Sequence, residues 1–125
     1  MKRDMDLLRI LLFEIERLPH VGDWFFDIDG YPREAVYYHA LLAMDAGLID
    51  ATFVPEDKWG YSFRLKRLTY EGHEFLEAAR DDTLWYKAKD AVQSATGSLT
   101  LEALKVALDV LMQAGIKAAM AARIG

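Results

Sequence analysis

The sequence predicts a mainly helical α+β fold, with a small β-hairpin set among helices and a helical extension at the C-terminal end. Three observations carry this. Leu7, Leu8, Leu11, Leu12, Ile15 and Leu18 recur at three- and four-residue steps, the spacing of an amphipathic helix. Ala46-Gly47-Leu48-Ile49 closes one helix and Leu68-Thr69-Tyr70-Glu71-Gly72 opens another, with two strand-like segments between them. From Leu101 onward the chain is one long apolar run at helical spacing. A chain of 125 residues, 53% hydrophobic, fits a domain over 1–82 and a helical extension over 83–125.

The first helix is predicted over 4–18. Asp4 or Asp6 favours its N-terminus, and Pro19 stops it by restraining Leu18 and lacking an N–H. Trp24-Phe25-Phe26-Asp27-Ile28 reads as a short strand, with Phe26 and Ile28 on one side and Asp27 and Asp29 on the other. Gly30-Tyr31-Pro32 turns the chain, and Pro32 suits the first turn of a helix over about 32–46. Gly47 fits a left-handed C-cap because it lacks a Cβ. Residues 48–54 and 61–68 read as two strands joined by the loop 55–60. Thr69 is the predicted N-cap of a helix to about Arg80. Asp82 or Thr83 restarts a helix that Gly97 and Ser98 break. Thr100 caps the last one, from about Leu101 to Arg123, with Leu99 placed as a hydrophobic staple.

Composition excludes several classes. With no cysteine there are no disulfides or thiolate metal sites, which fits a cytoplasmic setting. Glu14, Glu16 and Arg17 interrupt the first apolar run, so no secretory signal is expected, and no stretch has the roughly 20 apolar residues of a membrane helix. His20, His39 and His73 lie on separate segments without ligand spacing, so no metal centre is predicted. Asp23, Asp27 and Asp29 do not complete a calcium loop and read as a solvated strand face. Ser62, Ser94 and Ser98 lack an elbow motif, and no glycine-rich phosphate loop follows a strand. No catalytic residue and no cofactor is predicted, and the chain reads as non-enzymatic.

The formal net charge is -5, against the basic footprint usual in a DNA-binding protein. Lys58, Arg64, Lys66 and Arg67 nevertheless fall in a window free of Asp and Glu. On an exposed hairpin these four would neutralise phosphates, while Arg33, Tyr37 and His39 on the preceding helix would reach a groove. The competing reading is a protein-interaction surface made of Trp24, Phe25 and Trp59 together with Leu104, Leu108 and Leu111. The last helix is apolar around more than one face, which predicts a homodimer.

Two resemblances extend this reading. Met1-Lys2-Arg3-Asp4-Met5-Asp6-Leu7, Tyr38-His39, Ala46-Gly47-Leu48-Ile49, the run from Leu68 to Asp82, Trp85, Lys87-Ala88-Lys89 and Gly97-Ser98-Leu99 resemble a family of small bacterial and phage-associated proteins, the domain of unknown function DUF2513. That family carries no assigned activity. Ala46 to Ile49 and Leu68 to Gly72 are also similar to the end of the recognition helix and the start of the following helix in winged helix-turn-helix repressors. This likeness implies double-stranded DNA as a partner and a regulatory role in a bacterial or prophage setting. Residues 19–31 depart from it, because they are too extended for the short positioning helix. Two expectations follow, a DNA-binding regulator or a protein-interaction module on the same scaffold.

Overall fold

The computed structural model describes residues 1–124 apart from Phe25, Phe26, Lys58 and Trp59, with the backbone alone for 53–57, 60–63 and 124. It is mainly α with a small antiparallel sheet and forms two compact units, Met1–Leu76 and Glu77–Gly125.

In the first unit, α1 (Met5–Glu16) begins where the Asp4 carboxylate accepts the N–H groups of Asp6 at 2.9 Å and Leu7 at 3.2 Å. Its stripe of Met5, Leu7, Leu8, Leu11, Leu12 and Ile15 is buried. A strand β1 (Gly22–Trp24), a helix α2 (Arg33–Asp45), a hairpin of β2 (Ile49–Asp57) and β3 (Gly60–Leu68), and a helix α3 (Tyr70–Ala78) follow. The three strands are antiparallel in the order β1-β3-β2. From α2, Val36, Tyr37, Ala40 and Ala43 join the core, with Leu48, Ile49, Leu65, Leu68, Phe75 and Leu76 from later elements.

Three details differ from the expectations. The first strand lies earlier than the aromatic run suggested, because Gly22, Asp23 and Trp24 are the residues that pair with Leu65, Arg64 and Phe63. Asp27 and Ile28 lie outside it, so Asp27 and Asp29 do not share a strand face. The hairpin strands reach Asp57 and Gly60, consuming most of the predicted loop. Pro55 is tolerated within β2 because that strand is at the sheet edge, where a missing N–H removes no ladder bond. Finally, the register slips between Asp50 and Ala51, which face Arg67 and Leu65. The bulge gives β3 one extra residue, Lys66, so Leu65 and Leu68 are both buried while Lys66 and Arg67 both face out.

The joints around α2 and α3 interlock. Gly47 has φ 73°, and Leu48 N–H reaches back to the Ala43 carbonyl at 2.9 Å. Thr69 N–H donates to the Leu48 carbonyl at 3.0 Å and its hydroxyl donates to the Gly47 carbonyl at 2.5 Å. The same hydroxyl accepts the Gly72 N–H at 3.0 Å, capping α3.

In the second unit, α4 (Asp82–Thr96) is capped by Asp81, one residue before the predicted position, through the Leu84 N–H at 2.9 Å. It ends at Gly97. Thr100 accepts the Ala103 N–H at 3.1 Å and starts α5 (Leu101–Ile124). The short connection makes the two helices an antiparallel pair. Trp85, Ala88 and Val92 of α4 and Leu104 and Leu108 of α5 are buried. Beyond Met112, every described side chain of α5 is exposed.

Gly115 tests this exposure. A Cβ added there meets nothing within 4 Å. Gly115→Ala is therefore expected to stabilise the second unit by about 0.8 kcal/mol, since alanine loses less backbone entropy in a helix. A shift in the urea midpoint measures it, and a destabilised variant would show that the α5 backbone at this point is not open.

Candidate functional site

Of the cations predicted to bind phosphate, Arg64, Lys66 and Arg67 are placed by β3, and α2 places Arg33, predicted to reach the groove. Arg64 lies directly opposite Asp23 on β1, and its Nε donates to that carboxylate at 2.9 Å. Arg67 lies opposite Asp50 on β2, with a 3.0 Å ion pair. Arg33, at the start of α2, holds Asp27 at 3.2 Å. The hydrogen bond from Arg64 holds the Asp23 carboxyl below its ordinary range, and the same contact raises the guanidinium. Asp27 acts likewise on Arg33. These are exposed pairs of small worth for stability. Their consequence is electrostatic: three arginines are matched by three aspartates on one side or the other of each contact. A phosphate approaching any of these three arginines would meet a carboxylate already in place. Lys66 is exposed beside them. Lys58, Trp59 and Phe25 lie outside the described residues.

Two of the predicted groove contacts are corrected. Tyr37 is 2% exposed and His39 is 1% exposed, so neither reaches a surface. The reason is their phase on α2, which shares the buried line of Val36, Ala40 and Ala43. His39 has a structural task. Its Nδ1 lies 2.7 Å from the Ala35 carbonyl, which can only accept, so Nδ1 carries the hydrogen. Its Nε2 then accepts the Asp4 N–H at 2.7 Å, tying α2 to the start of α1. Tyr31 adds a hydrogen bond to Asp4; its phenol is raised, mainly by burial and then by the charges of Asp4 and Asp6.

The outward face of α2 carries Glu34, Tyr38, Leu41 and Asp45, spaced i, i+4, i+7, i+11. Glu34 and Asp45 are exposed, and Tyr38 and Leu41 are half-buried. The Tyr38 and His39 rings meet nearly perpendicular at a centroid distance of 5.7 Å. Tyr38 and Leu41 were not among the predicted site residues, although this spacing was visible in the sequence.

The predicted interaction residues separate in the same way. Trp24 is half-buried, and its indole N–H is enclosed with no hydrogen-bond partner among the described residues. Leu104 and Leu108 are fully buried where α5 packs on α4, so they are unavailable for association, and Leu111 is half-buried. A depression of about 220 Å³ beside β3 is lined by Glu16, His20, Lys66, Arg67 and His73 together with apolar side chains. Among the described residues no group of three His, Asp or Glu side chains could hold a metal ion. Among the same residues no helix is long and apolar enough to cross a membrane.

No solved structure matches the chain. A protein of Haemophilus influenzae bearing the name "Uncharacterized protein" is 36% identical over 117 residues, which span 90% of this chain and 98% of that relative. The family described as "Hypothetical protein (DUF2513)" matches residues 2–98, ending before α5. On the breadth of both matches, this chain belongs to the DUF2513 family.

Proposed function

We propose that the chain is a non-enzymatic protein-interaction module whose first unit presents the outer face of α2 to a partner. The observation that carries this is the chemistry of that face. A helix that reads duplex DNA needs cations and hydrogen-bonding groups toward the groove. Here the exposed positions of α2 are Arg33, whose guanidinium is held by Asp27, and Glu34 and Asp45, which flank Tyr38 and Leu41. An aromatic and an aliphatic centre with an acidic rim suits a partner with apolar side chains flanked by Lys or Arg. Such a partner would remain bound at high salt and be lost on Tyr38→Glu, with affinity reduced about 30-fold when measured below the variant's unfolding midpoint. Affinity capture from host extract with both proteins, followed by titration of the captured partner, measures this. Equal capture by Tyr38→Glu would defeat the proposal.

A second reading, DNA binding in a regulatory role, draws on the strand order β1-β3-β2 and on the outward cation Lys66, next to Arg67, whose guanidinium pairs with Asp50. That order supports a winged-helix scaffold, although among the described residues no helix lies between β1 and α2. Random duplexes at two salt concentrations separate the readings. Binding that falls steeply with salt and disappears in Arg64→Glu/Lys66→Glu would establish the nucleic-acid role in place of the protein one.

A further inference from the structure

We propose that α5 pairs with α5 of a second copy of this chain, antiparallel about a two-fold axis at Gln113. The inference concerns the second unit and does not depend on the α2 reading.

The face that would associate is the one left open. Val106, Val110, Ile116 and Met120 are 63%, 60%, 56% and 57% exposed. On a helical projection they share an arc of about 120° with Glu102, Asp109, Gln113 and Lys117. That arc is centred opposite the buried Leu104 and Leu108. The apolar excess of this helix therefore has a second side that the α4 pairing does not use.

The arrangement of the face selects its occupant. Val106 and Met120 are equally distant from Gln113 along the chain, as are Val110 and Ile116, and as are Asp109 and Lys117. In an antiparallel pair centred on Gln113, Val106 meets Met120 of the second copy near the midline of the seam, with Val110 and Ile116 closing its two flanks. Asp109 meets its Lys117. Each contact occurs twice, as an isologous interface requires. A parallel pair would instead oppose Asp109 to Asp109 and Lys117 to Lys117, which is repulsive. At the axis, each Gln113 amide can donate to and accept from its own copy, fixing register as a seam amide does in coiled coils. One helix face buries less than the roughly 800 Å² per partner typical of tight complexes, so the association is weak and concentration-dependent.

Sedimentation equilibrium on the full chain, from micromolar to millimolar concentration, tests the pairing. Wild type is expected to show a reversible monomer–dimer equilibrium. Asp109→Lys and Lys117→Asp should each weaken it about tenfold or more, and the double variant D109K/K117D should restore it. Because the chain has no cysteine, single thiols report orientation. A mixture of Val106→Cys and Met120→Cys chains should form the mixed disulfide rather than either symmetric one. A monomer throughout the range, a dimer indifferent to the single reversals, failure of the double variant to recover, or symmetric cross-links in the mixture would each overturn the proposal.

Discussion

Replacing Gly72 by alanine is expected to destabilise the first unit by about 3 kcal/mol, the upper part of the usual range for forcing atoms into a packed site. A Cβ at Gly72 would run into the Leu48 carbonyl oxygen, and would lie 3.0 Å from its carbon and 3.2 Å from Leu68 Cδ2. The leucine side chain could yield, but the carbonyl could not. Leu48 is held by its own N–H bond to Ala43, and its carbonyl accepts the Thr69 N–H. Moving α3 away would break that bond and the one from the Thr69 hydroxyl to Gly47. The substitution thus sets an overlap against three linked joints. Urea unfolding of the variant measures the loss, and Gly115→Ala, expected to act in the opposite direction, controls for alanine itself. A Gly72→Ala protein within experimental error of wild type would show that α3 does not rest against Leu48.

His39→Leu is the second large loss, about 2 kcal/mol. Leucine fills most of the ring's volume but cannot accept the Asp4 N–H, leaving that donor without the partner it has at 2.7 Å. The Ala35 carbonyl loses the ring donor as well. His39→Gln, whose amide can both accept and donate, should recover part of the stability. Two measurements check the assignment. The unfolding midpoint should order wild type above Gln above Leu, and exchange of the Asp4 amide hydrogen should accelerate most in Leu. An unchanged Asp4 amide would mean that the histidine is packing material and not a tie between α1 and α2.

The same residue shows how unevenly the candidate site could be read. His39 attracts a functional interpretation in sequence because imidazole is chemically versatile, yet its phase on α2 buries it. Arg64 and Arg67 read as an uncompensated basic strand because no acid lies between Lys58 and Arg67. The acids come from other strands: Asp23 is 41 residues from Arg64. Acidic neighbours at that separation leave no trace in a local window. The bulge at Lys66 is equally hidden, since a strict alternation of side chains predicts one phase along the whole strand. The apolar character of α5 was legible, but its division was not. Leu104 and Leu108 are sealed while Val106 and Val110 are open.

By itself, the sequence determined the order of the helices and strands and where most of the helices start and stop. Those features rest on periodicity and on hydrogen bonds between near neighbours, as when Thr100 caps Ala103 and Asp4 caps Leu7. Tertiary structure alone decided which charges are neutralised, which histidine is buried, why position 72 must be glycine and which side of α5 remains open. Each of those outcomes depends on what a distant segment places against the residue, and burial and charge compensation are properties of the assembled surface rather than of the local chain.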